Sequence, residues 1–499
     1  MKSDMMTNDT KEKADCSGDM ISKFDTASPT VYRYNVPELM PYFSENSFVA
    51  YKSRVEAALA RTWASRGIIS ENVADKIEAA SKMVTAEEVY EEEEKNTHHD
   101  IIAQMNMIKK HLHEVCATEE EYSEASRAVH RAATSYDIVD TANSARCRDA
   151  FYKVIIPDMI ALEKSFIALA EKEKETRQIG RTHQQHAEPI TFGFATAWFV
   201  DRFGGRLLKV KDAVDNLEGK FSGAVGTYSA LSLFVDDPEE FEKEVLAHFN
   251  LRPARISTQI IPPESMADLV HYAITSFGVV ANWAWDIYNS ERPEVAEIGQ
   301  PRGSPDISAS STMANKANPQ GAENIISLFK KLMAPIITTY LDLISLYQRD
   351  LTNSASSRFV PEEFVIFDYG IRRMTRIIGS LTVNYHNLQR NLDASSKYSI
   401  TEPLQLLLGD AGLMESHKKM GALADKAVEE GLGRSVLDLA NEDPEVSEYI
   451  GMLRSDQLDV LSDPSTNYIG KAVPKADEVI DYWAPIMQTL SDELAAHSQ

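Results

Sequence analysis

The sequence contains few cysteines and no long apolar run. Its 499 residues include only Cys16, Cys116 and Cys147, without a CxxC pair or metal-ligand spacing. So few cysteines favour a reducing compartment, and we expect a cytoplasmic protein. No apolar stretch is long enough to cross a bilayer, so no membrane partner is expected. Residues 1–29 lack the basic-then-apolar order of a signal peptide, and we predict a disordered extension there.

Positive charge is also scarce. The chain has 51 Lys and Arg against 76 Asp and Glu, a formal net charge of -25. A polyanion would be repelled, so general binding of nucleic acid is not expected. A small anionic substrate remains compatible, because a few local cations and helix N-termini can hold a phosphate.

Alternating strand-like runs are rare, and apolar residues recur at helical spacing. The sequence therefore predicts an all-α fold in which long helices pack against one another, also across subunits. Pro335 should kink or break its helix. The longest predicted helices span residues 190–221, 265–289, 322–347 and 362–392.

Length and composition indicate several domains. The predicted helices are long before residues 391–399 and shorter after them. We predict a disordered extension over 1–29, an N-terminal helical domain over 30–140, a central long-helix domain over 141–394 and a C-terminal helical domain over 395–499.

A polar segment interrupts the long helices at residues 300–319, QPRGSPDISASSTMANKANP. It combines Ser310, a potential base, with Lys316 and Asn318, and Glu323 follows where a helix would begin. Such a segment is either a simple polar linker or a functional lid.

Two histidine motifs accompany this loop. His98 and His99 lie in THHDIIAQM, and His183 lies in GRTHQQHAEPITFG, at the start of the helix predicted from residue 190. Adjacent histidines point in different directions from a helix and no HExxH pattern occurs, so a metal site is disfavoured. Imidazole acting as acid, base or anion contact fits better, although a lone histidine is more often structural.

A third group is basic. Arg33 and Tyr34 lie in VYRYNVPELM, and Arg349, Ser354 and Arg358 lie in YQRDLTNSASSR. Isolated arginines usually form surface ion pairs. Two arginines and a serine in one polar stretch better suit a clamp for phosphate or carboxylate.

These motifs together resemble the fumarase/aspartase superfamily of lyases, and most closely its branch that cleaves adenylosuccinate. The loop SSTMANKANP is similar to the signature GSSxMPxKxNP. Similar matches cover TSYDIVDTANSARCRDA at 134–150, GRTHQQHAEPITFG at 180–193, FSGAVGTYSA at 221–230 and STQ at 257–259. The motifs occur in the same order from residue 33 to the last hundred residues.

The resemblance implies a fold of three helical domains, with a central long-helix bundle shared in a homotetramer and three subunits building each site. It implies β-elimination of fumarate from the small-molecule nucleotide adenylosuccinate, and also from the succinylated aminoimidazole carboxamide ribotide. No metal or organic cofactor is implied. The alternatives are a superfamily lyase of the argininosuccinate lyase or carboxymuconate cycloisomerase type, and a non-catalytic homologue.

The resemblance also implies residue roles. Ser310 would be the base, His183 would protonate the leaving nitrogen, His99 would position the substrate, and Lys316 would hold the succinyl carboxylate. The implied substrate contacts are Arg33, Tyr34, His98, Asp100, Thr134, Ser135, Thr182, Gln259, Asn318, Arg349, Ser354 and Arg358.

Several positions depart from the family pattern. Alanine stands at 309, 314 and 317 of the signature loop, where Gly, Pro and a basic residue are usual. The others are His98, where Arg is common, Tyr136, where a small residue is common, and Pro403, where Arg is common.

Overall fold

The computed structural model describes residues 26–430 and 434–497. Helices dominate this part of the chain and strands are short, so the predicted mainly helical fold is confirmed. Most of the extension predicted to be disordered lies outside the described residues.

The first helices build a compact N-terminal layer. Ser44 caps the second of them by accepting a hydrogen bond from the Ser47 amide at 3.2 Å, and Trp63 is buried beneath it. Such caps satisfy amides that have no partner within the helix. The helices are α1 Met40–Phe43, α2 Glu45–Ser65, α3 Glu71–Met83, α4 Ala86–Glu92, α5 Asp100–Val115 and α6 Glu119–Ala128.

The central helices are the longest. Phe166, Phe199 and Trp283 contact one another where three of these helices pack together, so aromatic side chains fill the middle of the bundle. The helices are α7 Ser135–Ala150, α8 Ile156–Lys172, α9 Phe192–Asp215, α10 Pro238–Ala247, α11 Glu264–Ser290, α12 Gln320–Leu341 and α13 Val360–Gly379.

Three of the four predicted long helices have wrong boundaries. The helix predicted over 190–221 is α9, which begins at Phe192 and ends at Asp215. The helix predicted over 362–392 stops at Gly379, because Thr382–Val383 pairs as a strand with Ile298–Gly299 before the next helix begins. Pairing with a distant segment here overrides helical spacing. The helix predicted over 322–347 ends at Leu341, yet it continues through Pro335 without a break.

In the described part of the chain, the strands form four two-stranded sheets, three antiparallel and one parallel. Among these four pairs, the first has strands longer than two residues. Its second strand takes Ile190 and Thr191 from the helix predicted over 190–221. The pairs are β1 Arg177–Thr182 with β2 Gln185–Thr191, β3 Glu218–Gly219 with β4 Arg252–Pro253, β5 Ile298–Gly299 with β8 Thr382–Val383, and β6 Ser308–Ala309 with β7 Ala317–Asn318.

The shorter C-terminal helices enclose a second hydrophobic core that includes Leu404 and Leu439. The last helix returns to the central bundle, where Trp483 donates a hydrogen bond to Asp201 at 3.0 Å and its ring packs on Gly204. These helices are α14 Tyr385–Ser399, α15 Thr401–Asp410, α16 Ser416–Glu429, α17 Val436–Glu442, α18 Pro444–Ile450, α19 Ser455–Ser462, α20 Pro464–Asn467 and α21 Ala472–His497. The division into domains stays a prediction.

Candidate functional site

The N-termini of α5 and α7 lie next to each other at the first histidine motif. His99 is the N-cap of α5, and its Nδ1 accepts a hydrogen bond from the Ile102 amide at 3.4 Å. Its Nε2 lies 3.5 Å from the hydroxyl of Ser135, the first residue of α7, whose N-cap is Thr134. Helix N-termini carry partial positive charge, so this place suits a carboxylate. His98, beside it, has a left-handed backbone with φ of 49°, a conformation found at functional sites.

A buried ion pair fixes the start of α7. The Asp137 carboxylate accepts hydrogen bonds from Lys220 Nζ, the Thr134 amide at 2.8 Å and the Gly223 amide at 3.3 Å. Both charged side chains are fully buried. The pair therefore ties the TSYD motif to the glycine-containing turn. Neither residue was assigned a role from the sequence, although Asp137 lies in the TSYD motif and Lys220 is a lone cation directly before that turn.

Tyr136 joins this motif to the predicted phosphate contacts. Its hydroxyl is hydrogen-bonded to the Arg349 guanidinium, whose Cζ also lies 3.8 Å from the ring centroid. Arg349 donates a second hydrogen bond to Asn353 Oδ1 at 3.0 Å. Gln259 lies next to this group, because its amide donates to the Gln348 carbonyl at 3.2 Å. Tyr136, at a position where a small residue is common, thus orients Arg349.

Further cations lie near the first histidine motif. Lys52 is buried and lies 3.6 Å from Asp100. Burial lowers the pKa of Lys52, and the positive charge of Arg358 lowers it further. Arg358 therefore belongs to the same electrostatic neighbourhood as Asp100. Ser354 lies in the turn just before it, its amide donating to the Leu351 carbonyl.

The N-terminal RY pair lies against α13, the helix that begins just after Arg358. The Arg33 and Tyr34 amides both donate to the Pro29 carbonyl at 2.9 Å, and the Tyr34 ring meets Tyr369 edge-on at 5.3 Å. The Arg33 side chain is exposed. The ring contact places Tyr34 against the middle of α13.

A cavity of about 160 Å³ lies behind Tyr136 and Arg349. It is lined by α7, the start of α11 and the segment before α13, with Asp140 among its polar groups. Burial raises the pKa of Asp140 to about 6, although its carboxylate accepts a hydrogen bond from the Ile261 amide at 3.0 Å. A carboxyl group with a raised pKa is typical of functional sites.

Replacing Asp140 with asparagine should stabilise the protein at pH 8 by about 1–3 kcal/mol. The native carboxyl binds a proton more tightly than the unfolded one, whose ordinary pKa is 3.8. Its charge therefore costs stability above pH 6, and the cost falls between pH 6 and 3.8. Urea unfolding followed by circular dichroism at pH 8 and pH 5 checks this. An equal difference at both pH values would contradict it.

His183 lies on a hairpin turn and not at a helix start, so that prediction is wrong. The β1–β2 register pairs Thr182 with Gln185, and the two turn residues have positive φ, 52° at His183 and 62° at Gln184. Such a turn needs left-handed residues, which Gly or Asn usually supply. The turn leaves the imidazole exposed. The hairpin is anchored by Arg181, which donates a hydrogen bond to the buried Glu297 carboxylate at 2.9 Å.

The signature loop is a small hairpin. The Ser310 Oγ accepts hydrogen bonds from the Thr312 amide at 3.3 Å and the Met313 amide at 3.0 Å. The Ser310 amide donates to the Lys316 carbonyl at 3.4 Å. Asn318 donates to the Ser308 carbonyl at 3.2 Å. Backbone amides therefore already converge on the serine oxygen, which is the arrangement that would stabilise negative charge there.

The base of this loop is anchored by a buried carboxylate. Asp306 accepts hydrogen bonds from Arg373 at 2.9 Å and from Arg376 at 2.8 Å, both on α13. The exposed Lys316 side chain lies beyond this anchor. The loop thus has a fixed base and an exposed tip.

The predicted site residues form three groups within the chain. The first combines His99, Ser135 and Arg349 with their neighbours, the second is the His183 hairpin, and the third is the Ser310 loop. Among residues 26–430 and 434–497, no hydrogen bond, ion pair or ring contact joins one group to another.

The described residues contain neither a membrane-spanning helix nor a metal-binding cluster. No helix there is long and apolar enough to cross a membrane. Within the same ranges, no group of three His, Cys, Asp or Glu side chains could hold a metal ion.

Comparison with known proteins identifies the family. A family profile described as "Lyase" matches residues 31–333. The adenylosuccinate lyase of Pyrococcus abyssi (strain GE5 / Orsay) is 36% identical over 462 residues, which cover 91% of this chain and 97% of that protein. The adenylosuccinate lyase of Aquifex aeolicus (strain VF5) is 31% identical and covers 87% of this chain and 95% of its own length.

A solved structure shows the same architecture. The fumarate lyase of Mesorhizobium sp. BNC1 superposes with a TM-score of 0.75 at 25% identity, covering 90% of this chain and 98% of that one. The sequence matches extend over nearly the whole of both chains. The chain belongs to the adenylosuccinate lyase family, within the fumarase/aspartase superfamily of lyases.

Proposed function

We propose that this protein removes fumarate from adenylosuccinate by β-elimination and leaves AMP. The observation that carries the proposal is the first group of site residues. Two helix N-termini with His99 and Ser135 lie beside Tyr136, which holds Arg349. A nucleotide with a succinyl group needs one site for carboxylates and one for phosphate, and these features match both needs. We propose the same reaction for the succinylated aminoimidazole carboxamide ribotide.

Removal of a carbon-bound proton next to a carboxylate requires a strong base and fixed positive charge, because negative charge builds up beside charge already present. We assign the base to Ser310, whose oxygen already accepts two backbone amides. Lys316 and Asn318 would hold the carboxylate that gains enolate character. Closure of the loop would exclude water and strengthen these interactions.

The leaving nitrogen must gain a proton as its bond to carbon breaks. We assign this proton to His183, whose imidazole is exposed on the hairpin turn and could therefore act as a general acid. His99 would orient the succinyl group, with help from Thr134, Ser135, Thr182 and Gln259. His98 and Asp100 would complete this wall of the site.

The other predicted contacts belong to the nucleotide. Arg349, Ser354 and Arg358 would bind the phosphate, with Arg33 and Tyr34 beside them. Replacing Arg349 with alanine should raise KM for adenylosuccinate by about 10- to 100-fold and change kcat much less. Steady-state kinetics check this, with Arg127→Ala on the exposed face of α6 as the matched control. An unchanged KM would contradict the assignment.

We propose that the protein works in the cytoplasm as a homotetramer, with sites built by three subunits. Large apolar side chains on the central helices support an assembly: Trp198 is 56%, Trp285 48% and Ile337 65% exposed in the single chain. Exposed apolar surface of this kind is typical of subunit interfaces. The negative net charge supports a small-molecule partner in place of nucleic acid.

One assay tests the proposed reaction. Purified protein is mixed with adenylosuccinate, and ultraviolet absorbance and fumarate are followed together, with argininosuccinate and carboxymuconate as parallel substrates. Stoichiometric fumarate and AMP from adenylosuccinate alone are expected. Fumarate from argininosuccinate but not from adenylosuccinate would overturn the substrate, and no turnover of any of the three would favour a non-catalytic homologue.

A further inference from the structure

A buried arginine of α7 has no acidic partner. Arg146 is 7% exposed, and its guanidinium carbon lies 4.1 Å from the centroid of the Phe48 ring. Over residues 26–430 and 434–497 it makes no ion pair, and its buried Nε has no hydrogen-bond acceptor. Glu45, a carboxylate whose charge influences Arg146, accepts a hydrogen bond from the Tyr90 hydroxyl at 2.8 Å. Burial lowers the pKa of Arg146.

A second guanidinium lines the same cavity. Arg349 and Arg146 both border the space of about 160 Å³ behind Tyr136. The Nε of Arg349 is buried without an acceptor, and so is the hydroxyl of Ser144, which is 1% exposed and also borders this space. Three buried donors therefore surround one cavity, and each lacks an acceptor.

The carboxylates of the cavity wall are already engaged. Asp140 accepts the Ile261 amide at 3.0 Å, and both oxygens of Asp342 accept the Ser356 hydroxyl at 2.8 Å. Neither forms an ion pair with Arg146 or Arg349. A buried cation without a partner costs several kcal/mol, of which the Phe48 ring offsets only a part. An anion in the cavity would give the Arg146 guanidinium a counter-charge.

Phosphate suits this arrangement. Its terminal oxygens accept several hydrogen bonds at once and match the planar fork of a guanidinium. Arg358 lies close enough for its positive charge to lower the pKa of Arg146 further. Arg349 and Ser357, which precedes Arg358, both border the cavity, so the cavity adjoins the basic stretch.

We propose that Arg146 is a third guanidinium of the nucleotide site and contacts the substrate phosphate from the cavity side. The proposal rests on the proposed function, because it assumes a nucleotide substrate. Arg146 acts in binding and takes no part in proton transfer. Specificity for the phosphorylated substrate over the corresponding nucleoside is then due in part to this residue.

Kinetics on two substrates test the proposal. Arg146→Met keeps the stem on Phe48 but removes the charge, and Arg148→Met, two positions further along α7, is the matched control. For adenylosuccinate, Arg146→Met should lower kcat/KM by about 10- to 100-fold, mainly through KM. For the same substrate without its phosphate, the change should stay below about threefold. Arg146→Lys should recover only part of the loss, since it lacks the fork.

Equal losses on both substrates, or no loss on adenylosuccinate, would overturn the proposal. Binding of AMP and of adenosine, measured by calorimetry, separates it from the proposed reaction. If the parent protein releases no fumarate but AMP binds about tenfold more weakly to Arg146→Met, the phosphate contact stands and the reaction fails. If AMP binds equally to both proteins, the proposed contact between Arg146 and the phosphate is wrong, whatever the fumarate assay shows.

Thermal unfolding gives a further readout. In phosphate-free buffer, Arg146→Met should unfold at the same or a higher temperature than the parent, because a buried unpaired charge has been removed. Added AMP should raise the unfolding temperature of the parent more than that of the variant. A variant that is destabilised without ligand would show that the Arg146 charge is already compensated in the ligand-free protein, which would overturn the proposal.

Discussion

Replacing Ser310 with alanine should lower the rate of fumarate release by about a thousandfold, since positioned acid–base groups typically contribute that much. The variant keeps the loop amides and the anchor at Asp306, so it should bind AMP like the parent protein. A stopped-flow or steady-state absorbance assay with adenylosuccinate measures the loss of rate. Calorimetry with AMP measures whether binding is retained.

Ser311→Ala is the matched control, because it removes a neighbouring exposed hydroxyl to which no role is assigned. It should retain activity within a few-fold of the parent. If Ser310→Ala were as active as Ser311→Ala, another group would have to be the base, and the assignment of the loop would fail.

Replacing Lys220 with methionine should destabilise the protein by about 3–5 kcal/mol, because the fully buried Asp137 carboxylate loses its cation. The start of α7 would lose its tie to the turn at Gly223, so activity should fall together with stability. Urea unfolding followed by circular dichroism at a fixed protein concentration measures the change.

Lys211→Met provides the comparison, since Lys211 pairs with Asp215 at 2.9 Å in a partly exposed setting. Such pairs contribute at most about 1 kcal/mol. Adding Asp137→Asn to Lys220→Met should recover part of the lost stability. A Lys220→Met protein as stable as Lys211→Met would show that the buried pair does not hold the site together.

Much of the helical core could be predicted from the sequence, because apolar spacing reports directly on burial. The helix predicted over 265–289 is nearly identical to α11, Glu264–Ser290. The prediction failed where distant segments pair. Residues 382–383 form a strand with 298–299, and residue 190 extends a hairpin. Local spacing carries no information about such partners.

The candidate site was predicted as motifs, and its connections were not. His99 and Ser135 are in contact although they are 36 positions apart in the sequence. Tyr136 and Arg349 are in contact although they are 213 positions apart. The sequence does not identify Arg146 as a site residue, because an isolated arginine usually forms a surface ion pair. Only its burial without a carboxylate reveals it.

The central proposal is that a complete site draws Ser310 and His183 from different subunits, because no direct contact joins their groups within the described residues of one chain. Mixing two inactive variants, Ser310→Ala and His183→Ala, tests it most directly, after unfolding and joint reassembly. Random mixed tetramers should regain about one quarter of the parent activity, because a quarter of the sites receive both intact residues. Activity that stays at the level of the separate variants after mixed tetramers have formed would contradict a shared site.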